Sequence, residues 1–117
     1  MTTLNELARA CHAENQHWWR DPATGERLQR NKAEMLFLMV SEICEAGEGE
    51  RKGLRDDHLP HRKAVEVELA DVLIRLFDYA GAYGLDLDGA VAEKRAYNLH
   101  RADHKWEARL AAGGKKW

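Results

Sequence analysis

Asn31-Lys32-Ala33-Glu34-Met35-Leu36-Phe37-Leu38-Met39-Val40-Ser41-Glu42-Ile43-Cys44-Glu45-Ala46 is the stretch on which the fold turns. It opens with Asn31 and Glu34 three residues apart, the pattern of a capping box. Met35, Leu36, Leu38, Met39, Val40 and Ile43 follow at helical spacing. The pattern runs through Arg51 and Lys52, whose charge suits a helix C-terminus, and stops at Gly53, a C′ glycine. The spacing predicts a long amphipathic helix whose apolar stripe centres near Met39 and Ile43, with Glu42 and Glu45 to one side of it.

Outward from this helix the remaining elements also read as helical. Leu54 to His61 is a polar loop ending in Leu59-Pro60. A third helix starts near His61 with the stripe Val65, Leu69, Val72, Leu73, Leu76, Phe77 and Ala80, and weakens at Gly81 and Gly84. Asp86 or Asp88 caps a fourth helix carrying Leu87, Val91, Tyr97 and Leu99, which continues past His104 towards Leu110. Upstream, Thr3-Leu4-Asn5-Glu6 is another capping box, and Leu4, Leu7, Ala8 and Cys11 mark one face of a short first helix. Asp21-Pro22 followed by Gly25 forces a turn after Trp18 and Trp19. No strand pattern emerges. The expectation is a single all-α domain over 1–117, a four-to-five-helix bundle with its core at about 31–110. Residues 1–30 form an N-terminal helix and Trp-containing loop, and 111–117 form a tail.

Composition narrows the function classes. The 117 residues are 44% hydrophobic and 32% charged, with a net charge of -2. That balance suits a globular chain and points to no nucleic-acid polymer as partner. No apolar run reaches the roughly 18 residues of a membrane span. Met1 is followed by Thr2, Thr3, Leu4, Asn5 and Glu6, without the basic and apolar regions of a signal peptide. Cys11 and Cys44 sit within helical patterns, which suggests a reducing compartment, and the expected location is cytoplasmic. A chain this short buries only about two-thirds of its unfolded surface, so leftover apolar faces favour an oligomer.

The candidate chemistry lies in two acidic pairs. Glu42 and Glu45 are three apart, and so are Glu68 and Asp71. That spacing puts each pair on one helix face. Two antiparallel helices packed through their stripes would bring four carboxylates together, an arrangement that is costly unless a cation compensates. Oxygen donors without nitrogen or sulfur favour Mg²⁺, Mn²⁺ or Ca²⁺ over Zn²⁺. Mg²⁺ completes its shell with water and substrate phosphates, so the implied substrate is a phosphorylated small molecule. The competing reading is a solvated acidic face. A di-iron bundle would require Glu-x-x-His motifs, which are absent at Glu42 and Glu68.

Ser41-Glu42-Ile43-Cys44-Glu45-Ala46, Glu68-Leu69-Ala70-Asp71-Val72-Leu73 and Lys94-Arg95-Ala96-Tyr97-Asn98-Leu99-His100-Arg101 occur in that order. Over about residues 31–104 the chain thereby resembles the MazG-like all-α nucleoside triphosphate pyrophosphohydrolases. Some members carry an extra Glu where this chain has Ser41. The resemblance implies Mg²⁺ held by Glu42, Glu45, Glu68 and Asp71, with Mn²⁺ as a substitute and one carboxylate orienting the attacking water. It implies that Lys94, Asn98 and Arg101 bind the triphosphate. It also implies a homodimer or homotetramer with sites completed across subunits, and hydrolysis of substrates such as dUTP or dCTP to monophosphate and pyrophosphate. Lys94 and Asn98 are four apart and Arg101 three further, so a continuous helix would place all three on one face. A non-catalytic regulatory bundle and a metal-storing or metal-sensing bundle are the rival readings.

Trp18 and Trp19 are candidates to stack a base, with His17 adding a hydrogen bond. The alternative is that one Trp plugs the core edge and the other packs at a subunit interface. Tyr79 and Tyr83 read as packing residues. His100 and His104 are four apart but lack a third ligand, and His58 and His61 flank Pro60 in a loop. Cys44 reads as a small core residue rather than a nucleophile.

Overall fold

Local capping sets the helix boundaries. Thr3 Oγ1 accepts from the Glu6 N–H at 3.1 Å and the Glu6 carboxylate accepts from the Thr3 N–H at 3.3 Å, which starts α1 (Leu4–Glu14). Asn31 Oδ1 accepts from the Glu34 N–H at 3.1 Å and starts α2 (Lys32–Lys52). Gly53, at φ 62°, ends α2 in the left-handed region, where glycine carries no Cβ penalty. α3 (Ala64–Ala82) begins three residues later than His61. The loop first makes its own turn, in which the Asp56 carboxylate accepts from the His58 and Leu59 N–H groups at 3.0 and 2.7 Å. Asp86 caps α4 (Leu87–His100) by accepting from the Gly89 N–H at 3.0 Å.

The computed structural model describes residues 1–101 and 106–114. Among these, the remaining elements are a 3-10 turn (Gln16–Trp19) and α5 (Trp106–Leu110). Extended pairing among the described residues is limited to two isolated bridges, Arg20 with Arg27 and Arg55 with Lys63, so the protein is all-α as expected. No described helix is long and apolar enough to cross a membrane. α4 does not run on towards Leu110: it stops at His100, and Arg101 is extended at φ -70° and ψ 127°. His104, one half of the expected His pair, lies outside the described residues.

The chain forms two compact units that divide after Leu85. In the first, α3 packs against both α1 and α2. Ala8 meets Gly81 while His12 meets Asp78, and Glu42 meets Arg75 while Gly49 meets Ala64, so both neighbours run antiparallel to α3. Gly81 lies so close to the Ala8 carbonyl and His12 Cβ that any side chain there would collide with α1. Gly49 plays a similar part at the other seam, facing Ala64. The second unit contains α4 and α5.

The buried line of α2 is Met35, Met39, Ala46 and Gly49, rather than a stripe centred on Met39 and Ile43. Ile43 is 51% exposed and Phe37 70%, and Leu36 and Val40 are also exposed. On α3, Leu69 and Leu73 are left open in the same way. At about 100° per residue, Leu36, Val40 and Ile43 lie one step clockwise of the α2 seam, and Leu69 one step from Glu68 in α3. Because the two helices are antiparallel, these steps lead to the same side of the pair, giving one apolar face across both.

The deepest polar group is Asp78, 1% exposed. Trp19, equally buried, donates its Nε1–H to both Asp78 oxygens at 2.9 and 3.0 Å. His12 Nδ1 lies 3.0 Å from Asp78 Oδ1, and its Nε2 lies 3.1 Å from the Gln16 amide nitrogen. Those partners place a proton on Nδ1, directed at the carboxylate, and leave Nε2 to accept from Gln16. Asp78→Ala strands the Trp19 and His12 donors in the core. It is expected to lower the unfolding free energy by at least about 2 kcal/mol, measured by urea denaturation.

Candidate functional site

Glu42 occupies the one position of the α2 buried line between Met39 and Ala46 where an apolar residue would be expected. It therefore faces α3 within the seam instead of lying at its edge. Across from it, Glu68, Asp71 and Arg75 follow one another at helical spacing on α3. Glu42, Glu68 and Asp71 are all half-buried and each offers a carboxylate oxygen, these atoms lying within 4.8 Å of one another. Glu45 is exposed and stands outside this trio, although its charge and hydrogen bonding act on Glu68.

The electrostatics follow from crowding. Burial, then hydrogen bonding to Glu42 and Glu45, then their like charge push the Glu68 carboxyl up to about 7. Burial and Glu42 also raise Asp71; Arg75 opposes this, while Asp56 and Glu45 add to it. Arg75 is the neutralising group within the cluster, its Nε donating to Glu42 Oε1 at 2.9 Å. The loop acid Asp56 thus joins the field of the site. Asp56, Asp57, Glu45 and Glu68 line a shared cavity of about 210 Å³.

Arg75 also reaches the aromatic segment. Its guanidinium lies 5.2 Å from the centroid of Trp18. Trp18, Arg30, Arg75 and Asp78 line a cavity of about 150 Å³ beside the acidic trio. Arg30 is held there by an Nη1–H bond to the Trp18 carbonyl at 2.6 Å. The two tryptophans therefore divide their work. Trp19 is enclosed in the core with its N–H committed to Asp78, which leaves no open face for a base. Trp18 is half-buried at the cavity, with exposed His17 edge-on to it at 5.6 Å. Tyr79 and Tyr83 pack against each other at 4.8 Å, as expected.

Lys94, Asn98 and Arg101 belong to the second unit. Lys94 Nζ lies 4.7 Å and the Arg101 guanidinium 5.8 Å from the Tyr97 ring centroid. Arg101 is the helix C-cap, so it does not continue the helical face of the other two. The Asn98 Oδ1 is buried without a hydrogen-bond partner among the described residues. Cys44 is exposed rather than in the core, because it lies about half a turn of helix away from Glu42 and the seam; Cys11 is the buried cysteine. His58 and His61 are exposed.

Reading the sequence did not single out Arg75, Arg30, Asp56 or Asp78. Arg75 carried a signal, since it follows Asp71 by four residues and Glu68 by seven and extends the acidic line by one turn. No protein-family model, curated protein or solved structure matches this chain.

The raised Glu68 carboxyl has a definite consequence for the metal-free protein. Folding favours its protonated form, so its stabilising contribution is full below the ordinary carboxylate range and fades as pH rises through about 7. In the presence of chelator, Glu68→Gln is expected to gain thermal stability relative to the parent chain between about pH 5 and about pH 8. A difference in melting temperature that is flat across this range would contradict the assignment.

Proposed function

We propose that the protein is a Mg²⁺-dependent hydrolase that cuts nucleoside triphosphates, such as dUTP or dCTP, to the monophosphate and pyrophosphate. The observation that carries this reading is the meeting of Glu42, Glu68 and Asp71 within 4.8 Å, in a seam where like charges would otherwise repel. An all-carboxylate donor set fits a hard divalent cation, Mg²⁺ or Mn²⁺. Mg²⁺, when bound, neutralises charge on the phosphate oxygens and activates water.

The chain's own residues supply the rest of the reading. Glu42, Glu68 and Asp71 would hold the cation, and Glu45, one turn along α2, is proposed as the carboxylate that takes a proton from water. Trp18 offers an aromatic wall for a base, with His17 at its edge. Arg75 and Arg30 line the same cavity and suit phosphate oxygens through their forked donors. Lys94, Asn98 and Arg101 are proposed as triphosphate contacts from the resemblance to MazG-like enzymes. The exposed apolar face of α2 and α3 supports a homodimer or homotetramer. One observation favours a non-catalytic bundle instead: Arg75 already compensates part of the acidic charge without a cation.

The purified protein, given Mg²⁺ and a panel of NTPs and dNTPs, is expected to release monophosphate and pyrophosphate from a subset, resolved by ion-exchange chromatography. Glu42→Ala should abolish that turnover while keeping the helical circular-dichroism signal. Retained turnover would remove Glu42 from the ligand set, diphosphate with orthophosphate would overturn the cleavage position, and no turnover of any nucleotide would favour the non-catalytic bundle. The paired change Val40→Asp and Ile43→Asp should shift the light-scattering mass to that of a single chain.

A further inference from the structure

Arg27, Arg30 and Lys32 fall within six residues, where the chain leaves the turn at Gly25 and enters α2. With Trp19 and Tyr83 they wall a cavity of about 450 Å³, and no acidic side chain lines it. The guanidinium groups of Arg27 and Arg30 lie 5.5 and 6.0 Å from the Trp19 ring centroid. Lys32 Nζ lies 4.3 Å from that of Tyr83. None of the three takes part in an ion pair among the described residues.

Aromatic faces attract and position these cations but leave their charge uncancelled. Three like charges around one cavity repel one another, and an anion bound between them relieves that repulsion. The chain as a whole is acidic, at -2, so this is a local concentration of positive charge. Two arginine forks match the paired oxygens of phosphate groups, and three charges match a chain of phosphates better than a single carboxylate. Glu42, Glu68 and Asp71 do not line this cavity, so binding there needs no metal.

We propose that the cavity between Arg27, Arg30 and Lys32 is a metal-independent site for a polyphosphate chain, either free or as the tail of a nucleotide. The site shares Arg30 with the cavity that Trp18 and Arg75 line, but it needs neither the acidic trio nor the proposed hydrolysis. Titration calorimetry of the full chain with inorganic tripolyphosphate, in chelator, should show saturable binding. The affinity should fall as salt rises from about 0.01 M to about 0.15 M, which shortens the Debye length from about 30 to about 8 Å.

Arg27 and Lys32 are exposed, so Arg27→Ala with Lys32→Ala leaves the core intact. That variant should bind about tenfold more weakly or worse, the loss expected for a charge-assisted contact. Glu42→Gln should bind within about twofold of the parent, because the acidic cluster is not involved; a tenfold change there would overturn the site's independence. A nucleoside triphosphate binding about as tightly as tripolyphosphate assigns the site to the phosphate chain itself. One binding about tenfold tighter assigns it to a nucleotide whose base adds contacts of its own, with Tyr83 as the accessible ring. Absence of saturable binding, or binding unchanged in the double variant, would overturn the proposal. Because the measurement uses chelator and no turnover, its failure is separate from failure of the hydrolase reading.

Discussion

A carboxylate removed from water has to find donors, and Asp78 finds them on two other segments. The Trp19 Nε1–H spans both of its oxygens and His12 Nδ1 meets one of them. This pins α1 and the 3-10 turn to α3 by directional contacts, where apolar packing alone would permit sliding. Its consequences extend to the site. With Trp19 anchored, its neighbour Trp18 is turned to the cavity, and Arg30 is drawn in by the Trp18 carbonyl. Arg75, one helical turn before Asp78, completes that wall and reaches across to Glu42. The packing of the N-terminal unit and the shape of the candidate site thus share one buried anchor.

The α2/α3 seam shows the opposite strategy. Met39 and Ala46 are buried on either side of Glu42, so an apolar residue at that position would have packed without cost. Instead the seam carries Glu42 against Glu68 and Asp71, with Arg75 cancelling part of their charge. The raised Glu68 carboxyl measures the tension in this arrangement. Departures of this kind, where a local rule of packing is broken without a packing benefit, mark functional positions more often than structural ones. The exposed apolar face beside the seam is a second departure, and a second copy of the chain would resolve it.

Much of the secondary structure was legible because its causes are local. The capping residues Thr3, Asn31 and Asp86 and the stop at Gly53 act within a few residues of themselves. The acidic pairs were legible for the same reason, since a spacing of three fixes a shared face on any helix. Which face packs was harder to read. Leu36, Val40 and Ile43 are as apolar as Met35 and Met39, so periodicity supplies two adjacent stripes on α2 without saying which meets α3. The end of α4 at His100 was missed because Asn98 to Arg101 contains neither glycine nor proline.

The sequence by itself determined an all-α chain, its principal helix starts and the identity of its acidic motifs, all consequences of interactions spanning four residues or fewer. Only the tertiary structure decided that Glu42 stands inside the seam, that Glu45 stands outside the trio and that Trp19 is structural while Trp18 lines a cavity. The same holds for Arg75, which joins the acids to the aromatic segment. These outcomes depend on Asp78 meeting Trp19 across 59 positions and on Arg75 meeting Glu42 across 33. Contacts at such separation are set by how whole helices pack, and no local pattern along the chain encodes them.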